Sequence, residues 1–194
     1  MAISPAMKEL LLQALMHERG GVLVYRTALT CARTRGLQEE WTKYLSQTEN
    51  HVKVLQEMCL SLGLDPGEIT PGCKVIQHTG KGLVIAMQMA LAEGDPAAAE
   101  LVACDAVLLA ETKDHANWEL IGELAKSFQG EAQERLAAAH AQIEEEEDEH
   151  LYHSQGWGRE LWLKFLGLKA VLPPPEERRH VSSAAEAQEA RKGR

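Results

Sequence analysis

Acidic and histidine side chains interrupt the apolar stripes of four stretches that have helical periodicity. They are Glu18, His51, Glu111 and the pair Glu147 and His150. A helix that only packs against its neighbours would carry apolar residues there, because a buried unpaired carboxylate is strongly destabilising. Several converging carboxylates are tolerated when a cation neutralises them. These residues therefore predict a metal site with carboxylate and imidazole ligands.

The positions of these residues along their helices predict that they converge. Glu18 lies 17 residues before Arg35, at the first predicted link, and His51 lies 16 residues after it. Glu111 lies 19 residues before the second predicted link, and Glu147 lies 17 residues after it. Because an α-helix rises about 1.5 Å per residue, all four side chains should lie at similar heights if the hairpins pack antiparallel.

Four long helices are needed to position these side chains, and the sequence predicts four. Ser4-Pro5 and Asp95-Pro96 each combine an N-cap residue with a proline in the first turn, as is typical of helix starts. Gly63 is a plausible C-cap. The predicted helices cover about residues 5–33, 37–62, 95–130 and 131–156.

A long connection, from about residue 64 to residue 94, separates the second predicted helix from the third. It begins rich in Gly and Pro, and LVIAMQMALAEG within it predicts a short helix. The connection is too long for a tight turn and long enough to cross the whole length of a bundle. We therefore predict an all-α fold, a four-helix bundle with one long crossover between helices 2 and 3.

The C-terminal part of the chain changes in character twice. Gly156 and Gly158 are expected to bend the last long helix, and ELWLKFLGL then predicts a short C-terminal helical segment. From Pro173 onward the sequence is polar and rich in Pro and Ala, which is typical of a mobile tail. We predict one bundle domain over residues 1–172 and a mobile tail over residues 173–194.

Composition narrows the function further. Hydrophobic residues make up 45% of the chain and the net charge is -9, which disfavours nucleic acid and anionic membrane surfaces as partners. The N-terminus lacks the pattern of a signal peptide, and no apolar run is long enough for a membrane span. We therefore expect a soluble cytoplasmic protein. The four cysteines lack CxxC pairing, so a zinc ribbon is excluded and buried or spare thiols are expected.

Three local patterns add a resemblance to these expectations. Tyr25 follows Glu18 by seven residues, Trp118 follows Glu111 by seven, and the last helix carries a Glu-x-x-His sequence. In this order, with a crossover, the patterns resemble those of the ferritin-like superfamily of ferritins, bacterioferritins, rubrerythrins and related di-metal oxidases, over about residues 5–156. The resemblance implies that Glu18 and Glu111 are terminal ligands, Glu147 a bridging carboxylate and His150 a histidine ligand.

The second helix departs from the family pattern. The pattern asks for Glu-x-x-His, but Thr48 stands three residues before His51, so one bridging carboxylate is missing. His115, one turn after Glu111, is a candidate extra ligand, and Asp114 is a weaker alternative. We therefore expect asymmetric occupancy, with a tight ion near Glu111, Glu147 and His150 and a weaker or empty position near Glu18 and His51.

Three functional hypotheses follow from this site. The first is a redox metalloprotein that holds one or two ions of iron or manganese, with zinc as an alternative, and reacts with oxygen or peroxide. The second is non-catalytic metal binding, storage or sensing, and the third is a metal-free bundle that serves as an interaction module. A homo-oligomer is expected, with a dimer favoured. No G-x-S-x-G, Walker A or dinucleotide-binding sequence points to another enzyme class.

Overall fold

The computed structural model describes residues 3–193 and, within them, every side chain except that of Ala132. The prediction of an all-α chain is confirmed, because the described residues form helices and contain no strand. In chain order the helices are α1 (Pro5–Cys31), α2 (Arg35–Ser61), α3 (Pro71–Ala92), α4 (Pro96–Ser127), α5 (Glu131–Phe165), α6 (Pro175–Arg178) and α7 (Ala184–Lys192).

Local sequence explains where the long helices begin and end. The Ser4 hydroxyl accepts a hydrogen bond from the Met7 amide, and the Asp95 carboxylate accepts from the amide of Ala97. These side chains satisfy amide groups that have no partner within the helix. Gly94 and Gly130, with φ of 80° and 68°, stand just before α4 and α5, where only glycine adopts a left-handed backbone without strain.

The long helices contact one another in a closed cycle. Helix α1 contacts α2 and α4, and α5 contacts the same two helices from the other side. Helix α3 packs against α1 and α4. The four helices of the cycle are the four that carry the polar residues singled out from the sequence.

The apolar interior of this cycle is divided into two clusters. One contains Tyr25 and Trp41, and the other contains Leu15 and Leu55. In sequence, Glu18 falls between the α1 members of the two clusters, and His51, Glu111 and Glu147 fall between the members on α2, α4 and α5. A layer of buried polar side chains therefore separates the two apolar clusters.

Two features of the chain differ from the expectations. Helix α3 is longer than the short helix predicted in the connection, because Thr70 caps it early by accepting from the Cys73 amide at 3.1 Å. Helix α5 continues past Gly156 without a break, to Phe165. A Cβ at Gly156 would lie 2.7 Å from Glu176 Oε2, so this glycine allows a neighbouring segment to approach.

That neighbouring segment is the predicted mobile tail. It contains α6 and α7, and it buries Glu176, Val181, Ala187 and Ala190. Helix α6 packs against α5, and α7 packs against α6. The prediction of a free polar tail missed this docking because the apolar residues that anchor it are few and small.

Two further properties follow from the described residues. All four cysteines are free and buried, as one of the two alternatives for them anticipated. No helix within residues 3–193 has the length and the apolar character that crossing a membrane requires.

Candidate metal centre

The buried polar layer brings together five of the six predicted metal ligands. Helices α1, α2 and α4 contribute Glu18, His51 and Glu111, and α5 contributes Glu147 and His150. All five are buried. Their positions follow the equal heights inferred from the sequence.

The first group of potential ligands consists of Glu18, His51 and Glu147, each of which offers one ligand atom within 4.8 Å of the other two. His51 Nδ1 lies 2.9 Å from Glu147 Oε1 and 3.4 Å from Glu18 Oε1. Although 2.9 Å is a hydrogen-bonding distance, the two atoms lack the geometry of a hydrogen bond.

The second group consists of Glu111, Glu147 and His150, within the same 4.8 Å limit. His150 Nδ1 lies 3.4 Å from Glu111 Oε2 and 3.8 Å from Glu147 Oε1. The His51 and His150 rings stack at 24° with their centroids 5.7 Å apart. Glu147 belongs to both groups, so it occupies the place of a carboxylate that could bridge two ions.

The outer nitrogens of both histidines have partners outside the groups. His51 Nε2 lies 2.7 Å from Glu146 Oε2, and His150 Nε2 lies 3.1 Å from Gln47 Oε1. Because both partners are acceptors, each Nε2 donates its proton outward. In the neutral imidazole, Nδ1 then presents its lone pair to the interior, as metal ligation requires.

Several oxygens of the layer have no hydrogen-bond partner. Both carboxylate oxygens of Glu147, Oε2 of Glu18 and Oε2 of Glu111 are buried and unpartnered. The other oxygen of Glu18 accepts from the Trp118 indole at 2.8 Å. Within residues 3–193, no Lys or Arg lies at ion-pair distance from these three carboxylates. Their charge is therefore compensated by protons, by histidine or by an ion.

The proton affinities of the layer reflect this crowding. Burial, together with the charges of Glu18 and Glu111, raises the pKa of Glu147 to about 7, against the opposing effect of His51. Burial lowers the pKa of His51, but contacts with the carboxylates of Glu146, Glu147 and Glu18 outweigh it and raise that pKa to about 12. In the absence of metal the layer therefore holds protons that a bound cation would displace.

Asp114 adds a fourth carboxylate to the layer. It is buried, and its Oδ1 has no partner. Burial, then the charges of Glu18 and Glu147, raise its pKa well above the ordinary range. The sequence had ranked Asp114 below His115, although its place three residues after Glu111 put it on the same helix face.

His115 lies outside both groups. Its Nε2 lies 2.8 Å from Asp148 Oδ1, and its side chain is partly exposed. As an α4 residue one turn beyond Glu111 it was expected to face the layer, but the carboxylate of Asp148 holds it at the edge of the α4–α5 contact. The structure therefore does not unite His115 with the other predicted ligands.

Helix α2 offers no carboxylate at position 48. Thr48 is buried, and its hydroxyl donates to the Tyr44 carbonyl at 2.9 Å. Glu49 points outward and pairs with Arg26 at 2.7 Å. Helix α2 therefore contributes no carboxylate to the layer from positions 48 and 49, while Asp114 places one there from α4.

One buried polar array escaped the sequence reasoning. His153 is buried, and its Nδ1 lies 2.9 Å from both the Tyr44 hydroxyl and Glu40 Oε1. The Tyr44 ring lies against His150, with the centroids 4.1 Å apart. On the same helix, Glu146 contacts His51. Only the approach of α2 to α5 explains these contacts, and a single helix pattern does not carry that information.

No protein-family model, no curated protein and no solved structure matches this chain.

Proposed function

We propose that this protein binds metal ions in the polar layer and uses them in redox chemistry with oxygen or peroxide. The observation that carries the proposal is the sharing of Glu147 between two groups of buried ligand atoms, Glu18 with His51 and Glu111 with His150. Mixed carboxylate and imidazole donors suit iron or manganese, with zinc as an alternative. We propose one or two ions per chain.

The arrangement of the helices supports a ferritin-like four-helix bundle as the scaffold. Helices α1, α2, α4 and α5 contact one another in a closed cycle, and α3 occupies the long connection between α2 and α4. A Glu-x-x-His pair on α5 and single carboxylates on α1 and α4 match the ligand pattern that such bundles use.

Individual residues have separate tasks in this proposal. Glu147 would bridge the ions, and Glu18 and Glu111 would each bind one of them. The outward hydrogen bonds to Glu146 and Gln47 keep the histidine rings in a ligating orientation. Iron or manganese would supply electron transfer to oxygen or peroxide, and the chain supplies fixed donors and shields them from water.

A second candidate is non-catalytic metal binding or storage through the same residues. Thr48 favours it, since helix α2 lacks the carboxylate that complete di-metal centres place there. The two candidates differ in one measurable property, the oxidation of bound Fe(II) by oxygen or peroxide. Rapid oxidation at the site supports the redox function, whereas stable Fe(II) binding supports storage.

The experiment that tests metal binding compares two single substitutions on α5. Purified protein is loaded anaerobically with Fe(II), and separately with Mn(II) and Zn(II), and the metal per chain is measured by elemental analysis. Glu147→Ala removes the residue shared by both groups and should reduce binding to near background. Glu145→Ala, an exposed neighbour, should bind as the unaltered protein does. Equal metal content in the two variants would reject the proposal.

A further inference from the structure

A small cavity of about 160 Å³ lies beside the candidate metal centre, and Glu147 of that centre is one of the residues that line it. Its walls come from α4, from α5 and from residues 183–184 of the C-terminal segment. Trp118, whose indole donates to Glu18, lines it as well. The cavity is large enough for a few water molecules or a hydrated ion in transit.

The ionisable side chains that line this cavity are graded from exposed to buried. Glu119 and Glu144 are 69% and 61% exposed. Asp148 and His115 are 21% and 18% exposed and lie 2.8 Å apart. Glu147 is 2% exposed. Oxygen and nitrogen donors are therefore available along the whole depth of the cavity.

The inner end of the cavity distinguishes it from an ordinary acidic surface. Glu147, whose two carboxylate oxygens are buried without a hydrogen-bond partner, is one of the residues that line the cavity. A solvated face of a helix would not lead to such an atom. A cation that reached Glu147 would contact, through one carboxylate, both groups of ligands described above.

We propose that this cavity is the path by which divalent cations reach the metal centre, with Asp148 and His115 as transfer ligands between the exposed carboxylates and Glu147. The inference rests on the proposed metal-binding function. His115 is thus assigned a different role from the one its sequence position suggested, that of a transient ligand on the path. Carboxylates along a narrow, partly dehydrated cavity raise the local cation concentration and the association rate.

The C-terminal segment forms one wall of this path. Ser183 and Ala184 line the cavity together with Tyr152 of α5. The Tyr152 ring also lies edge-on to His115, with the centroids 6.1 Å apart. The docking of this segment therefore sets the width of the cavity beside the proposed transfer ligands.

The first arm of the test removes the charge of the path. Co(II) uptake is followed by its visible absorption after rapid mixing, and release is followed with excess chelator. Asp148→Asn should slow uptake and release by on the order of tenfold, with little change in stoichiometry or Kd, because a residue on the path affects both directions equally. Glu39→Gln, which removes the same charge at an exposed site outside the cavity, should leave both rates unchanged. His115→Gln should slow both rates less than Asp148→Asn does.

The second arm narrows the path without changing its charge. Ala184→Trp adds bulk at the wall, and Ala185→Trp adds the same bulk at the next exposed residue, outside the cavity. Uptake should slow in the first variant only, again with unchanged stoichiometry.

The outcomes separate this inference from the proposed function. If Asp148→Asn lowers stoichiometry or affinity as Glu147→Ala does, Asp148 is a resident ligand and the path is wrong. The path is equally wrong if both arms leave the rates unchanged, or if only Glu146→Gln, beside His51 on another side of the centre, slows uptake. In all these cases metal binding itself stands. If the unaltered protein binds no Co(II), both proposals fail together.

Discussion

Two regions of this molecule bury carboxylates, and they neutralise them in different ways. In the C-terminal segment, Glu176 is fully buried and accepts two hydrogen bonds from Arg159, at 2.6 and 2.9 Å, while Arg191 lies 3.4 Å away. In the candidate metal centre, Glu18 and Glu147 are equally buried but have only histidines as ion-pair partners. The first region has arginine partners, whereas within residues 3–193 no Lys or Arg pairs with the carboxylates of the second.

Another buried carboxylate, outside both regions, shows that unpartnered oxygens are not a general property of buried carboxylates in this chain. Glu100 accepts hydrogen bonds from the backbone amides of Arg33 and Thr34 at 2.7 and 2.6 Å, and from the Thr34 hydroxyl. Elsewhere, then, the fold satisfies a buried carboxylate with donors of its own. Unpartnered oxygens gathered from three helices form a group that could hold an external cation.

The largest expected effect is on stability when metal is added. An ion that binds only the folded chain should raise the free energy of unfolding by about 4 kcal/mol when its free concentration is a thousand times Kd. Chemical denaturation with Mn(II) and with chelator measures the difference. Glu147→Ala should abolish it and Glu145→Ala should retain it. If metal does not raise the free energy of unfolding of the unaltered protein, the proposed contrast between the two regions is wrong.

The next largest effect is the pH dependence of stability in protein from which a chelator has removed metal. A carboxyl whose pKa rises from 4.5 to about 7 on folding holds its proton in the folded state, so stability is greatest below pH 4.5 and is lost as pH rises to 7. The expected loss is roughly 3 kcal/mol. His51, with a pKa of about 12, contributes stability that is present below pH 6.5 and declines above it.

Denaturation of chelated protein between pH 5 and 8 measures this slope. Glu147→Gln should reduce the change of stability with pH, since an amide does not titrate. Saturating metal should also remove the slope, because the ion takes the place of the proton and binds more tightly as pH rises. A chelated protein that gains stability over this range would contradict the assignment of protons to the layer.

A smaller effect is expected at the region that carries its own cations. Arg159→Met leaves Glu176 with Arg191 and also removes the hydrogen bond from Arg159 to buried Glu160. It should lower the free energy of unfolding by about 2 kcal/mol. Added metal should not restore the loss. Arg35→Met, which breaks an exposed pair with Glu39, is the matched control and should change stability by less than about 0.5 kcal/mol. If added metal restored the free energy of unfolding of Arg159→Met, the proposed distinction between the two regions would be contradicted.

The smallest effect concerns the charge balance inside the layer. Thr48→Glu should tighten the weaker of the two ions by roughly tenfold, while Asp114→Asn should weaken it by a similar factor. Thr48→Gln controls for size. Metal titrations give both dissociation constants. If Asp114→Asn leaves them unchanged, Asp114 holds its proton and does not compensate for Thr48.

The sequence predicted the polar layer better than its surroundings. Counting residues from the helix links was enough to place Glu18, His51, Glu111 and Glu147 at one height, because helical rise is constant. It could not tell whether Asp114 or His115 turns inward. Those residues are adjacent on α4, and their orientation depends on Asp148, which meets His115 only after α4 and α5 pack.

The docking of the C-terminal segment could not be predicted by the same reasoning. Its docking depends on the pairing of Glu176 with Arg159 and on Gly156, which leaves space for the close approach. Polar residues and prolines dominate the composition there, so the sequence resembles a tail. Long-range pairs of charged side chains have no periodicity, and only the folded chain reveals them.

The polar layer also affects how the chain unfolds. It divides the interior into two apolar clusters, and each cluster lies toward a different end of the long helices. Each end can therefore act as its own cooperative unit in local opening. An ion held by α1, α2, α4 and α5 would tie the units together. Hydrogen exchange at the two ends should then become synchronous in the loaded protein.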